Sequence, residues 1–281
     1  MSRPPPYWRI VSLYAGLAFL YVPIAWIVVY SFSGATTAGV WQGFSLRWYA
    51  ALADNDALQS ATARSLGLAS LAASVATALG LAAGYALARR PRFTGRGALV
   101  GLLAVPLFVP EILIGVSFLM LFVALESFTG VAIGKGLVPL VIAHATLGLP
   151  VVASVVMARL AGLDRSYEEA ALDLGARPLR VFATVTLPLM TPALVSGWLL
   201  AFTLSFDDVI TSSFVAGPTF ATLPMYIYSS VRVGVSPVIN VIGTLIIGGV
   251  AMLVLVAMQA SRDVPGRGSR GGAAADRTGA R

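Results

Sequence analysis

An all-α polytopic membrane protein with about six transmembrane helices is the fold class that three features of the sequence predict. Hydrophobic residue types make up 58% of the chain and charged ones only 11%, where a soluble domain carries about a quarter charged residues. The mean hydropathy is +0.86. Several apolar runs reach the ~20 residues that a helix needs to cross the hydrocarbon core, and few of them contain a charge. Distributed over 281 residues, this pattern reads as one polytopic domain.

The first element, in MSRPPPYWRIVSLYAGLAFLYVPIAWIVVYSF, puts basic residues before an apolar run. That run is longer than the roughly 7 to 15 residues of a signal-peptide core and reads as an uncleaved span over 10–32. The connection after it holds Trp41, Phe44, Trp48 and Tyr49, aromatics that anchor a membrane interface or, for Trp48, face a ligand. A second span covers 61–88. The third, 98–125, contains Pro106 and Pro110, each of which removes a backbone donor and kinks or breaks a helix. Glu111 follows directly, about halfway along. The fourth span, 137–157, carries the single histidine, His144, either an interhelical hydrogen-bonder or a proton relay. The fifth, 189–215, places Asp207 and Asp208 in its outer part among Thr203, Ser205, Thr211, Ser212 and Ser213, and the sixth covers 238–259.

Cytoplasmic connections retain Lys and Arg. With the N-terminus inside, that side receives all 19 basic residues except Arg47, Arg64, Lys135 and Arg232, so both termini are placed in the cytoplasm. Arg232, on the outer side, either contacts a delivery protein or is an ordinary loop arginine. The bases sit in short breaks rather than on one amphipathic face, which argues against nucleic acid despite the net charge of +7. Residues 1–9 read as a cytoplasmic N-terminus, 10–260 as the transmembrane domain, and 261–281, rich in Gly, Ala and Arg, as a disordered tail. With no cysteine and one histidine, no disulfide or metal centre is expected, and no cofactor.

One segment differs from the rest: seven of the 17 residues in 164–180 are charged. Ser166 and Glu169 have the spacing of a capping box. Tyr167, Ala170, Ala171 and Leu174 follow at i, i+3, i+4 and i+7 and form one apolar face. Gly175 suits the left-handed end of that helix. Pro178 suits the first turn of a second, whose Val181, Phe182 and Val185 pack back, and Pro188 closes it. Two helices too short to span a bilayer must lie across the cytoplasmic surface, against lipid headgroups or a protein. Lipid-surface helices favour Lys and Arg on the polar face; here acids balance bases, which suits a protein partner.

Glu169, Ala170, Ala171, three residues, Gly175, nine residues, Val185, one residue, then Leu187 and Pro188 resembles the EAA signature of bacterial ABC-importer permeases, the binding-protein-dependent, MetI-like family. Val185 stands where Ile is commoner. WQGFSLRWYAALADNDAL, PEILIG, AHATLGLPVV and SGWLLAFTLSFDDVITSSFVAGPTFATLPMYIYSSVRVGVSP narrow the resemblance to permeases of polyamine (spermidine and putrescine) importers, over about 21–243. The resemblance implies a type I importer transmembrane domain in the bacterial inner membrane. Its coupling helices, at about 164–188 and carrying Glu169, Ala170, Ala171, Gly175, Leu187 and Pro188, would be held by an ABC ATPase dimer. A second, different permease and a periplasmic substrate-binding protein are the other implied partners, with membrane lipid around them.

Acids within spans need a reason, since one at the bilayer centre costs roughly 2.5 to 3.5 kcal/mol. A broken helix with an acid at its break, facing a cavity, is how transporters commonly build midplane sites. Successive helical residues point about 100° apart, so one aspartate of the pair lines a path while the other caps or pairs; otherwise both begin an external loop. Such acids suit a flexible organic cation, with ammonium groups on carboxylates and methylenes on aromatic faces. The resemblance implies that Trp48, Glu111, Glu169, Ser205, Asp207 and Asp208 belong to the polyamine path or its coupling. Glu111 replaces an expected Asp, one methylene shorter, which leaves length preference open.

The chain has no G-x-x-x-x-G-K-[ST] loop, so ATP hydrolysis falls to a separate subunit and the chain itself is not expected to be an enzyme. An intramembrane enzyme is disfavoured because His144 has no Cys, Ser or acid partner in a recognisable sequence arrangement. The rivals are the same machine with another cargo, such as ferric iron or an opine, and an ion-coupled secondary transporter.

Overall fold

The computed structural model describes residues 7–131, 133–233 and 236–262. Its helices in chain order are α1 (Tyr7–Tyr30), α2 (Arg47–Ala53), α3 (Asp56–Arg89), α4 (Arg96–Phe108), α5 (Glu111–Thr129), α6 (Leu137–Ala161), α7 (Ser166–Asp173), α8 (Pro178–Val181), α9 (Leu187–Phe206), α10 (Ile210–Val215), α11 (Leu223–Val233) and α12 (Val238–Arg262). Among the described residues the only extended pairing is an isolated bridge between Ser33 and Phe44, so the all-α expectation holds. Residues 1–6 and most of the expected tail, 263–281, lie outside the described residues; Ser261 and Arg262 end α12.

Among the described residues, five stretches are long and apolar enough to cross a membrane: Tyr7–Tyr30, Asp56–Arg89, Glu111–Thr129, Leu137–Ala161 and Pro178–Phe206. Arg96–Phe108 and Val238–Gly249 are shorter apolar helices. One expected break is present and two boundaries differ from the sequence expectation. The third span is two helices, because Val109 turns extended before Pro110, as the clash with a following proline ring demands. The fifth span ends at Phe206, and α10 starts anew at Ile210. Pro188 does not close a short helix: α8, a π-helical turn over Phe182–Thr186 and α9 run on without interruption. The Leu187 N–H reaches back to the Phe182 carbonyl. A wider turn accommodates the donor and space that Pro188 takes away.

The chain forms two compact units, Met1–Asp54 with Val235–Arg281, and Asn55–Gly234. In the first, α12 packs on α1 and α2. In the second, α3, α6 and α9 pack on one another around Ala73, Ala76, Val152, Val156, Met190 and Ala201. Lipid tails are as apolar as these side chains, so close backbone approach rather than hydrophobic burial holds such helices together. A Cβ on Gly80 would lie 2.7 Å from Val152 Cβ, and one on Gly84 2.6 Å from Val156 Cγ1; α3 and α6 cross where α3 has no side chain.

Candidate functional site

Two helix breaks meet in the second unit. Pro110 starts α5, so Glu111 occupies its first turn, where the positive end of the helix dipole favours an acid. The other break, 207–209, separates α9 from α10. Helix α10 lies on α5 at Gly115, where an added Cβ would meet Phe214 at 2.8 Å and the Thr211 Cα at 3.2 Å.

Asp208 organises the second break. Its Oδ1 accepts from the Thr211 N–H (3.0 Å) and its Oδ2 from the Ser212 N–H (2.9 Å) and hydroxyl (3.1 Å), satisfying donors that α10 would otherwise leave bare. His144 Nε2 lies 3.0 Å from Asp208 Oδ2 and 3.1 Å from Ser212 Oγ, and His144 Nδ1 lies 2.7 Å from Ser205 Oγ. Donation from Nε2 to the carboxylate sets the tautomer and leaves Nδ1 to accept the Ser205 hydroxyl. Of the two readings of His144, the interhelical hydrogen-bonder is the one the fold bears out, with Ser and acid partners 61 and more positions away that no sequence spacing announces. His144, Ser205, Asp208 and Ser212 are all buried, and the cluster clips α6 to both sides of the break.

The neighbouring aspartate has the opposite setting. Asp207 is exposed, and neither ion pair among the described residues involves it. It caps the C-terminus of α9, the negative end of the helix dipole, where an acid is disfavoured. Glu111, Asp207 and Asp208 line a cleft of about 570 Å³ with Pro106, Ile114, Val151, Leu204 and Ile210 among its apolar walls. The carboxyls of Glu111 and Asp208 adjoin. Ser205 does not line the cleft; it stands behind it, on His144. Trp48 belongs to the other unit, where its Nε1 donates to the Ala35 carbonyl (3.0 Å) and the Arg47 guanidinium sits 4.3 Å from the ring centroid. In that unit Phe32 stacks on Phe44 and Tyr49.

The charged segment folds with two corrections: the second helix is not too short to span a bilayer but is the start of the 29-residue stretch Pro178–Phe206, and the first is capped differently. Ser166 is not a cap but lies inside α7, with no side-chain cap on Arg165 before it. Asp164 Oδ1 accepts from the Ser166 N–H at 3.0 Å instead, and this bond holds the Asp164 carboxyl below its ordinary range. A shorter acid just upstream reaches the first bare donor better than the hydroxyl expected to do so. Gly175, at φ +82°, ends α7, with the Ala176 N–H on the Ala171 carbonyl (3.1 Å) and its own N–H on Leu172 (2.8 Å), a Schellman closure. Val181 is buried and Phe182 packs edge-on against Tyr85. Glu169, Ala170, Leu174 and Pro188 are exposed and Ala171 and Leu187 half-buried; Leu174 is 89% exposed, so the apolar face of α7 faces away from this chain.

Sequence reasoning missed Glu168, which pairs with Arg89 at 3.0 Å. The partners are 79 residues apart, and no periodicity links them. It also missed Ser212 as a partner of His144, although a lone intramembrane histidine demands hydrogen-bond partners and the Ser- and Asp-rich fifth span was the place to seek them.

Residues 76–262 match the model of the family described as "Binding-protein-dependent transport system inner membrane component". The chain is 47% identical over 250 residues to the putrescine transport system permease protein PotI of Escherichia coli (strain K12), covering 89% of each. It is 40% identical over 246 residues to the spermidine/putrescine transport system permease protein PotC of the same organism, covering 88% of this chain and 90% of that one. Its fold matches a bacterial ABC transporter involved in import of the acidic polysaccharide alginate, with a TM-score of 0.65 at 16% identity over 94% of this chain and all of that one. These likenesses converge with the helical architecture: the chain belongs to the binding-protein-dependent transport system inner membrane components.

Proposed function

We propose that this chain carries putrescine, spermidine or a similar organic cation through the cleft between its two helix breaks. As a family member it is a multi-pass inner-membrane component that works with a binding protein and an ATPase. The observation that carries the cargo reading is Asp207: an exposed acid, at the helix end that disfavours it, beside Glu111 in an apolar-walled cleft. Two carboxylates with methylene-sized walls suit a chain bearing ammonium groups at its ends, and the cleft volume lies in the usual range for small ligands. Relatives named for putrescine and spermidine support the same reading.

In this reading a second, different permease completes the path, and Trp48 contributes from the outer loop. Both termini and the 163–188 segment are cytoplasmic. Glu169, Ala170, Ala171 and Gly175, on and just after α7, with Leu187 and Pro188 at the start of α9, present the cytoplasmic docking face to the ATPase. Uptake of labelled putrescine and spermidine in cells expressing the whole system tests the cargo. ATP-dependent accumulation of either, lost in Asp207→Asn, is expected; transport of another solute with neither amine carried would overturn it.

A further inference from the structure

Helix α7 has little apolar contact to hold it: Tyr167 is 59% and Leu174 89% exposed. A polar node does so instead. Arg89, the last residue of α3, is buried except for 10% of its side chain, and its Nη2 meets Glu168 Oε1 at 3.0 Å. The same oxygen accepts from the Thr186 hydroxyl at 2.9 Å. Thr186 ends the π-helical turn that leads into α9 and is 1% exposed. Arg89 Nη1 reaches the Leu160 carbonyl at the end of α6, at 3.5 Å. One carboxylate thus ties α7 to α3 and to the root of α9, and one guanidinium extends the tie to α6. Of these three core helices, α6 and α9 wall the cleft through Leu147, Val151 and Leu204, and α3 packs on both of them.

We infer that Glu168 and Arg89 are positioning residues that transmit displacement of α7 into α3, α6 and α9. Charge-assisted bonds resist a pull as well as a push, since separating the pair strands both charges in a nearly dry site, whereas a flat apolar contact can slide. This rests on the proposed docking of α7 to the ATPase, and it adds the route by which a load applied there would reach the cleft.

The chain has no cysteine, so Leu204→Cys places this chain's single thiol on the cleft wall, and its labelling is read on this chain alone. In the complete complex, in lipid nanodiscs, the labelling rate at that position is measured with and without ATP, alongside ATP hydrolysis. The parent is expected to change its labelling rate at least fivefold with ATP. Glu168→Gln should hydrolyse ATP within twofold of the parent yet lose most of that change, and Thr186→Val should lose part of it. Arg89→Lys, which keeps the charge, should retain at least half. Equal ATP responses in the parent and in both Glu168→Gln and Thr186→Val, including none in any, overturn the inference; so does a response that falls only in proportion to hydrolysis. A parent whose cleft answers ATP but which carries neither amine refutes the cargo reading alone.

Discussion

Helix α9 is irregular at both ends, and the two ends are opposites. At its start stands a proline without a break: the chain stays helical from Pro178 to Phe206, 29 residues, by widening into one π-helical turn ahead of Pro188. At its end is a break without a proline: α9 stops at Phe206 although nothing in 207–209 lacks an N–H. There the Asp208 carboxylate takes the Thr211 and Ser212 donors that a continuous helix would have given to carbonyls, the competition that makes aspartate poor in helix interiors. A missing donor can be absorbed by a wider turn; a better acceptor cannot. The result is a continuous shaft at the end that meets α7 and an interruption at the end that meets the cleft.

Removing the acceptor should hurt most. Asp208→Ala deletes four hydrogen bonds, takes the acid partner from His144 and strands two backbone donors of α10 in a buried site, at a cost of about 3 kcal/mol. Thermal unfolding of the detergent-purified complex should show it as a clear fall in Tm. If the variant were as stable as the parent, with α9 and α10 fused into one helix, the break would owe nothing to Asp208. Gly175→Asp comes next: a left-handed φ of +82° costs a side chain about 1 kcal/mol. Its effect stays local, so faster amide exchange at Gly175 and Ala176 with an unchanged Tm is the expected signature.

This contrast also marks what the sequence could disclose. The span pattern, the Pro110 break, the left-handed Gly175 and the helix start at Pro178 were legible because each is local, a property of one contiguous apolar run or of one or two residues. The division of labour between Asp207 and Asp208 was legible as a division, from the 100° helical step, but not as an assignment. Which aspartate turns inward depends on His144, more than 60 positions away. Pro188 misled because proline chemistry is usually read against α-helical geometry alone, and Ser166 because the Ser166–Glu169 capping pattern hid Asp164 just upstream. The Arg89–Glu168 pair carried no signal, since a charge at a span end and another in a polar segment are both unremarkable until the chain brings them together.

The two smallest effects on stability sharpen the comparison. Pro188→Ala returns a donor and improves helix propensity, so stability should change by less than about 1 kcal/mol. The turn would lose its reason to widen, however, and reverting to α-helical spacing would rotate Thr186 away from Glu168. Transport should then fall with Tm unchanged; normal transport with a normal Thr186–Glu168 bond would show that the π-helical turn does not depend on the proline. Asp207→Asn is the smallest of all. The carboxylate is exposed, and losing its charge at the negative end of α9 removes a repulsion worth about 0.3 to 1 kcal/mol, so Tm should hold or rise slightly. Cation uptake should nonetheless drop at least tenfold. A substitution that leaves the fold untouched and stops transport is what a cargo ligand requires, and one that lowered Tm as Asp208→Ala does would place Asp207 in the scaffold instead.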